Sequence, residues 1–347
     1  MMYVMLEIKL KKISEMLNGT LKGNPDYLVS SISNPEKFIN GSISPLWEKK
    51  FISAVVHGSV LLTKKNWIPA GCSGIEVDEP RLALISLLEY FSQENEIEPT
   101  GVHKSSVVDP SANIGKDVTV GPGSVICAGV SIGGNTILRG RIWVGIDVNI
   151  GSDCVIEPGV VLYDKIKIGN RCIIHANAVI GCDGFGFVPD PKTVMRRIPQ
   201  IGTVVVEDDV EIGVGTTIDR ATFGETLISR GTKIDAQVKI GHNCHVGEYS
   251  IIVAQSGLAG SSTIGKGVTL AAQSGVANHS TVGDGAVVAS RSAAVSDIPA
   301  GMTVSGFPAQ EHLQDMRQLA IIRHLPEIEK TVKSLAIAVK RMEQKNK

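Results

Sequence analysis

The sequence is poor in aromatic residues, in net charge and in long hydrophobic runs. Phe, Trp and Tyr make up 4% of its 347 residues, although 43% are hydrophobic and 37 are glycine. Such a mixture favours short stacked strands with tight corners over a large irregular core. A formal net charge of −1 gives no whole-chain attraction to nucleic acid or to an anionic membrane. No apolar run approaches the length of a membrane-spanning helix and no signal-peptide pattern is present, so we expect no transmembrane segment and a cytoplasmic location.

The six cysteines include no CxxC pair. In a chain of this size without an export signal, they are expected to be free and mostly buried thiols. Cys244 alone lies beside a group of histidines, which makes it the only candidate for a reactive thiol. The six are Cys72, Cys127, Cys154, Cys172, Cys182 and Cys244.

The aliphatic residues follow a period of six. From Ile114 every sixth position is aliphatic twelve times in succession, and from Ile228 the rhythm continues for eleven positions. A glycine often follows directly, as at Gly115 and Gly241. The positions are Ile114, Val120, Ile126, Ile132, Leu138, Val144, Ile150, Ile156, Leu162, Ile168, Ile174 and Ile180, then Ile228, Ile234, Ile240, Val246, Ile252, Leu258, Ile264, Leu270, Val276, Val282 and Val288.

A period of six fits neither an α-helix stripe, which repeats about every 3.6 residues, nor one long strand, which repeats every two. It fits a coil of short strands that each send one aliphatic side chain inward, with corners at which glycine permits a positive φ. Three hexads close a triangular turn, and successive turns stack about 4.8 Å apart. This repeat resembles that of the hexapeptide-repeat acyltransferases, which implies a mainly β fold built on a left-handed parallel β-helix.

The repeat defines the domain organisation. It spans residues 106–306 and is broken at 183–200, where we expect a loop insertion at one corner. Residues 1–105 lack the rhythm. Within them, Ile52–Leu62 is predicted as a strand and Pro80–Phe91 as an amphipathic helix, so this part is expected to form a small α/β domain.

Residues 307–347 are predicted to form a C-terminal helical extension, with Pro326 at the start of its second helix. Apolar residues in this helix follow alternating steps of three and four, as in a short coiled-coil seam. The seam either packs on its own chain or forms a three-helix bundle in a homotrimer. Its members are Ile328, Val332, Leu335, Val339 and Met342.

Three outward-facing histidines of the repeat are candidate functional residues: His242, His245 and His279. His242 and His279 are two coils apart on nearly the same side, and hence about 10 Å from each other. That separation suits two points on one extended substrate. It does not suit a shared metal ion, whose ligands lie about 2 Å from the metal, so we predict no metal site.

A specific family likeness lies in residues 181–245. This segment contains GCDGFGF, RIPQIG, VEIGVGTTIDRATFGETLI and KIDAQVKIGHNCH in that order. It is similar to the signature of the UDP-3-O-acylglucosamine N-acyltransferases of lipid A biosynthesis, and the likeness extends over essentially the whole chain. The related O-acyltransferases begin their repeat almost at the N-terminus, so the hundred leading residues favour the N-acyltransferases. The resemblance implies transfer of a 3-hydroxyacyl chain from acyl carrier protein to the 2-amine of UDP-3-O-(3-hydroxyacyl)glucosamine.

The resemblance also implies roles for individual residues. His242 is the expected general base, and a backbone N–H near Gly260 is expected to stabilise the oxyanion. His279 is expected to contact the substrate or the phosphopantetheine arm of the carrier, which is the acyl donor. No cofactor is expected. Asp235 matches a position expected to orient His242. Since seven residues separate the two, we expect any contact between them to cross a subunit interface of a homotrimer.

The DGFGF loop and the leading domain supply further candidates. Phe185 and Gly186 are expected to line an acyl groove or reach a neighbouring subunit, unless the loop only covers its own corner. The family has a Phe-x-x-Asn-x-x-Tyr run that cradles uracil. Here Glu48 stands in place of the asparagine, while Trp47 and Phe51 remain able to stack on a base. Pro45 replaces the first aromatic residue.

Several alternatives stay open at this point. One alternative is a paralogue that acylates a different amino-sugar nucleotide. Another is a zinc enzyme of the carbonic anhydrase type that uses His175, His242 and His245. A purely structural solenoid would need neither the insertion nor the histidines. Ala293 and Ala294 stand where a larger residue is expected to end the acyl tunnel, which leads to the hypothesis of a longer acyl chain.

Overall fold

The computed structural model describes residues 7–92 and 100–345, which fall into two compact units divided between positions 98 and 99. The first unit is an α/β structure with a five-stranded sheet. Its core contains the fully buried Leu10, Ile43, Leu62 and Leu87. The sheet runs, in spatial order, Thr20–Lys22, Ser73–Glu76, Val60–Thr63, Ser42–Leu46 and Ser31–Ile32, and a small antiparallel pair is formed by Ile8–Lys9 and Leu28–Val29.

The described residues of the first unit also form two helices, Leu10–Met16 and Pro80–Ser92, and two 3-10 turns, Pro35–Lys37 and Lys49–Ala54. The helix predicted over Pro80–Phe91 is therefore present. The strand predicted over Ile52–Leu62 is wrong for residues 52–59, since only Val60–Thr63 is extended. Gly58 has φ +86°, and the Ser59 hydroxyl donates to the carbonyl of Val56 at 2.6 Å, so a turn interrupts the alternating pattern.

The second unit is the predicted left-handed parallel β-helix. Each coil contributes one short strand to each of three sheets, which we call the first, second and third faces in chain order. The first face comprises Gly101–Val102, Thr119–Val120, Ile137–Leu138, Val155–Ile156, Ile173–Ile174, Glu211–Ile212, Lys233–Ile234, Ile251–Ile252, Thr269–Leu270, Val287–Val288, Thr303–Ser305 and the antiparallel Gln310–Glu311.

The other two faces are parallel throughout. The second face comprises Val107–Val108, Val125–Ile126, Trp143–Val144, Val161–Leu162, Val179–Cys182, Thr217–Asp219, Lys239–Ile240, Gly257–Leu258, Gly275–Val276 and Ala293–Ala294. The third face comprises Asn113–Ile114, Ser131–Ile132, Asn149–Ile150, Lys167–Ile168, Thr203–Val206, Glu225–Ile228, His245–Val246, Thr263–Ile264 and Thr281–Val282.

The inward positions of the hexads form one continuous core. The aliphatic residue of each strand, such as Ile156 or Ile240, is fully buried, and Cys154, Cys172 and Cys244 fill positions between these layers. All six cysteines are free. Burying a Val, Leu or Ile side chain stabilises the fold by about 1.5–3 kcal/mol, so the hexad pattern itself accounts for the choice of this fold.

Register along the faces is regular except at one corner. Lys239 pairs with Gly257, which lies three hexads, or one full coil, later in the sequence. Two excursions interrupt this spacing, both between the second and third faces, and we call this edge the 2/3 corner. The first runs from Cys182 to Thr203 and carries a hairpin, Phe187–Asp190 with Val194–Arg197. The second is the short segment 220–224.

Two helices follow the β-helix, His312–Arg323 and Leu325–Lys345, with Pro326 at the second position of the latter. Glu311 caps the first helix by accepting hydrogen bonds from the N–H groups of Leu313 and Gln314, which lower the pKa of its carboxyl. The seam residues from Ile328 to Met342 are 43–68% exposed in the single chain. In the described part of the protein, no helix has the length and apolar character needed to cross a membrane.

Candidate active site

His242 lies at the 2/3 corner, between the strands Lys239–Ile240 and His245–Val246. The chain turns there because Asn243 adopts φ +59°, a conformation that asparagine tolerates better than most residues. The carbonyl of His242 accepts a hydrogen bond from the N–H of Ser261 on the next coil at 2.8 Å. This backbone contact and the turn at Asn243 fix the point from which the imidazole projects.

Two glycines enclose the imidazole of His242. A Cβ on Gly260 would lie 2.5 Å from Nε2, and a Cβ on Gly184 would lie 2.9 Å from Cδ2. Neither glycine has a positive φ, so the close approach of the ring, and not backbone conformation, requires glycine at both positions. Gly184 belongs to the DGFGF loop, which therefore contacts the histidine of its own chain.

Asn243 links the histidine to the second excursion. Its Oδ1 lies 3.1 Å from His242 Nδ1 and accepts a hydrogen bond from the N–H of Thr222 at 2.9 Å. Its Nδ2 donates to the carbonyl of Phe223 at 2.9 Å. Sequence reasoning missed Asn243, Thr222 and Phe223, although the IGHN motif was a signal for the first of them.

The insertion is tied to the same network. The Thr222 hydroxyl donates to Oε1 of the buried Gln200 at 2.9 Å, and Gln200 Nε2 donates to the carbonyl of Ile198. The carbonyl of Gly186 accepts from the N–H of Ile198 at 2.9 Å. Phe185 is 86% exposed. In the single chain the loop thus covers its own corner with Gly184 and presents the Phe185 ring to the outside.

His279 lies at the same 2/3 corner, two coils after Asn243, and also has a positive φ of 59°. Its N–H faces the carbonyl of Gly260 at 3.3 Å. Asp235 lies at the corner between the first and second faces, where its carboxylate accepts hydrogen bonds from the N–H groups of Ala236 and Ala254. Within one chain, Asp235 and His242 are at different corners, and a contact across subunits stays a prediction.

This corner carries outward-facing backbone donors. At the equivalent position of some other hexads, a carboxylate from the next coil accepts the outward N–H, as Asp164 does for Ile146 at the 2/3 corner and Asp284 for Lys266 at another corner, both at 2.8 Å. The coil after His242 has Gly260 there, which offers no side chain. Within residues 7–92 and 100–345, the N–H groups of His242 and Gly260 have no acceptor. Donors of this kind suit a developing oxyanion.

An ion pair with a buried carboxylate lies near His242, one coil earlier. The carboxylate of Asp219, 3% exposed, is paired with the ammonium of Lys239 and accepts a hydrogen bond from the Cys182 thiol at 3.1 Å. Burial and the neighbouring Asp219 carboxylate raise the pKa of Cys182 to about 11. Burial also raises the pKa of Cys244, whose Sγ donates to the carbonyl of Ala259, so this thiol is structural.

The first unit has its own cavity, of about 330 Å³. Its walls include the two aromatic residues expected to stack on a base. Glu48, which replaces the family asparagine, is paired with Lys50 at 2.6 Å and lies outside the lining. The Arg81 guanidinium lies 5.6 Å from the centre of the Trp47 ring. The lining consists of Asn34, Pro35, Glu36, Pro45, Leu46, Trp47 and Phe51.

The remaining candidates occupy separate places. His175 lies at the corner between the first and second faces, with Nε2 3.0 Å from Glu211 Oε1, and is therefore remote from His242 within one chain. In the ranges 7–92 and 100–345, no three His, Cys, Asp or Glu side chains are grouped as metal ligands. Ala294 is 1% exposed and faces the interior of the coil, so only Ala293 of the alanine pair is available to a substrate on the outside.

The fold and this corner define a hexapeptide-repeat transferase. The model of the family "Bacterial transferase hexapeptide (six repeats)" matches residues 147–182. The solved UDP-N-acetylglucosamine acyltransferase of Arabidopsis matches with a TM-score of 0.56 at 27% identity, over 63% of this chain and 76% of that one.

Full-length relatives identify the family. The UDP-3-O-acylglucosamine N-acyltransferase of Syntrophotalea carbinolica is 46% identical over 96% of this chain and 98% of that protein. The enzyme of the same name from Desulfotalea psychrophila is 41% identical over 98% of this chain and 99% of its own length. The chain belongs to the UDP-3-O-acylglucosamine N-acyltransferase family, as the sequence motifs predicted.

Proposed function

We propose that this protein transfers a 3-hydroxyacyl chain from acyl carrier protein to the 2-amine of UDP-3-O-(3-hydroxyacyl)glucosamine in lipid A biosynthesis. Membership in the family supports the acyl transfer and the acceptor. The observation that carries the assignment of the site is the juxtaposition of the His242 imidazole with Gly260, whose N–H has no acceptor among the described residues. The proposed base and the proposed oxyanion donor are therefore neighbours.

The reaction is a nucleophilic substitution at a thioester. The 2-amine attacks the thioester carbon, a C–N bond forms, and the carbonyl oxygen gains negative charge that the Gly260 N–H stabilises. His242 Nε2 accepts the proton that the amine loses as bonding advances. When the C–S bond breaks, the imidazolium returns this proton to the departing thiolate of the phosphopantetheine arm.

The remaining parts of the proposal concern binding. His279 lies about 10 Å from His242 along the axis, which suits a contact with the carrier's phosphopantetheine or a distant part of the acceptor. The cavity beside Trp47 and Phe51 suits a stacked uracil ring. Asp235 would approach His242 of a neighbouring subunit, and Phe185 would line the acyl groove between subunits with Gly186 at its base.

A homotrimer in the cytoplasm is part of the same proposal. The exposed apolar seam from Ile328 to Met342 supports a three-helix bundle, because apolar side chains at coiled-coil spacing are stabilised when they are buried between helices. Sedimentation equilibrium should then give about three times the chain mass of 36.8 kDa. A monomer that is fully active would contradict the trimeric site.

The decisive experiment is a mass-spectrometric assay with 3-hydroxyacyl carrier protein and UDP-3-O-(3-hydroxyacyl)glucosamine. His242→Ala should lower turnover by about 10²–10⁴-fold, the usual contribution of a general base. His245→Ala is the matched control, since His245 is exposed on the neighbouring strand and should retain wild-type turnover. Equal turnover by wild type and His242→Ala would contradict the proposed mechanism. Faster acylation of an acceptor with another nucleotide would instead favour the paralogue.

A further inference from the structure

The side-chain amide of Asn243 has only one orientation that satisfies its backbone neighbours. One end faces the N–H of Thr222, which can only donate, and the other faces the carbonyl of Phe223, which can only accept, both at 2.9 Å. Exchanging Oδ1 and Nδ2 would oppose two donors at one end and two acceptors at the other. The oxygen is therefore the atom that faces His242.

This orientation determines which nitrogen of His242 carries the proton in the neutral ring. Oδ1 of Asn243 is 3.1 Å from Nδ1 and has no hydrogen to donate, so Nδ1 must be the protonated nitrogen. The other nitrogen, Nε2, then has a free lone pair, and it is Nε2 that lies beside Gly260. We propose that Asn243 is a positioning residue that holds His242 as the Nδ1–H tautomer, with Nε2 ready to accept a proton.

The two corner excursions extend this control. The N–H of Thr222 occupies the second lone pair of Asn243 Oδ1, and the Thr222 hydroxyl is held by Gln200 of the insertion. Gln200 is only 7% exposed, so losing its partner would leave a buried polar group unsatisfied. The insertion thus fixes the tautomer of His242 through Thr222 and Asn243, and with Gly184 it also fixes the position of the ring.

The role of Asn243 in catalysis rests on the proposed function, whereas the tautomer itself is directly measurable. Long-range ¹H–¹⁵N spectra of protein labelled in its histidine rings report which nitrogen is protonated, and His242→Gln assigns the signal. Wild type should show a protonated Nδ1 and a bare Nε2. Asn243→Gly keeps the positive φ but removes the acceptor, and should give a mixture of both tautomers.

Two further variants separate the effect of the amide from that of the backbone. Asn135→Gly is the matched control, because Asn135 has the same φ of 59° at a distant corner and its side chain donates to Asp153. Asn243→Asp loses the hydrogen bond to the Phe223 carbonyl but retains an acceptor for Nδ1–H, so a neutral His242 ring should again carry its proton on Nδ1. In the acyl-transfer assay, Asn243→Gly should lower kcat/KM about tenfold, the worth of one hydrogen bond, with Asn135→Gly unchanged.

The outcomes test two separate claims: that Asn243 sets the tautomer of His242, and that His242 is the general base. A protonated Nε2 in wild type, or unchanged tautomer populations in Asn243→Gly, would overturn the role of Asn243. Full activity of His242→Ala, combined with the expected spectra, would overturn the proposed base and leave the tautomer assignment intact.

Discussion

Replacing Gly260 by alanine tests whether the position of the His242 ring limits catalysis. The φ of Gly260 is not in the left-handed region, so alanine is compatible with its backbone. The added methyl would lie 2.5 Å from Nε2 and 2.7 Å from Cε1 of His242. The substitution keeps the N–H of residue 260, hence the oxyanion donor remains and the perturbation acts on the ring.

The size of the displacement follows from these distances. A methyl carbon and a ring atom make ordinary contact at about 3.4 Å or more, so the ring must move by about 1 Å. A misplacement of this size costs about 100-fold in rate. Rotating the ring away costs only about 0.5–1.5 kcal/mol in rotamer energy, so the protein should fold normally. We expect kcat to fall about 100-fold while KM changes little.

The assay is steady-state acyl transfer, with thermal unfolding measured in parallel. Gly257→Ala is the matched control, because an added methyl there has no neighbour within 4 Å and the φ of Gly257 is also not positive. It should leave folding and turnover near wild type. Turnover by Gly260→Ala within about threefold of wild type would refute the prediction that catalysis depends on the position of the His242 imidazole.

Three further predictions concern charge, thiols and chain length. Hydrogen bonds from Arg171 lower the pKa of Asp209 to about 2, so its stabilisation is complete above its unfolded pKa of about 3.9 and is lost as the pH falls towards 2. In urea unfolding, the free energy of unfolding of wild type should exceed that of Asp209→Asn by less and less as the pH falls through that window. A free-energy difference that does not change with pH would contradict stabilisation by the Asp209 carboxylate. Cys182 should react with iodoacetamide only as the pH approaches 11, and Cys244 only after unfolding, whereas labelling of either at pH 7 would argue against the buried sites. Ala293→Met should shift the preference towards shorter acyl chains, and an unchanged preference would remove Ala293 from the acyl groove.

Much of the β-helix could be predicted from the sequence because its signal is local. The inward aliphatic residue recurs every six positions, and residues such as Ile156 and Ile240 are buried as the period requires. The same arithmetic predicted that His242 and His279 share a corner. The strand predicted over Ile52–Leu62 failed where alternation of apolar residues continues through a turn at Gly58.

The contacts around His242 could not be predicted in this way because they depend on excursions that interrupt the period. Gly184 and Gln200 lie more than two coils before His242 in the sequence, and no repeat relates them to it. Their positions depend on the path of the loop around the corner. Asn243 was adjacent in sequence, but its role depends on the backbone of Thr222 and Phe223, which only the folded excursion supplies.

Paired strands in successive coils are separated by a constant number of residues, so a β-helix can gain or lose whole coils. The excursions increase the sequence separation between Lys167 and its strand partner Val205, and between Thr203 and its strand partner Glu225. The next pair on that face, Leu227 with His245, has again the regular step of three hexads. Residues added at a corner therefore do not change the pairing register of the strands that follow. Gain or loss of a whole coil after His279 would likewise preserve the corner, while moving the C-terminal helices along the axis by about 4.8 Å. Evolution can thus change the reach of this architecture in steps of one coil without rebuilding its chemistry.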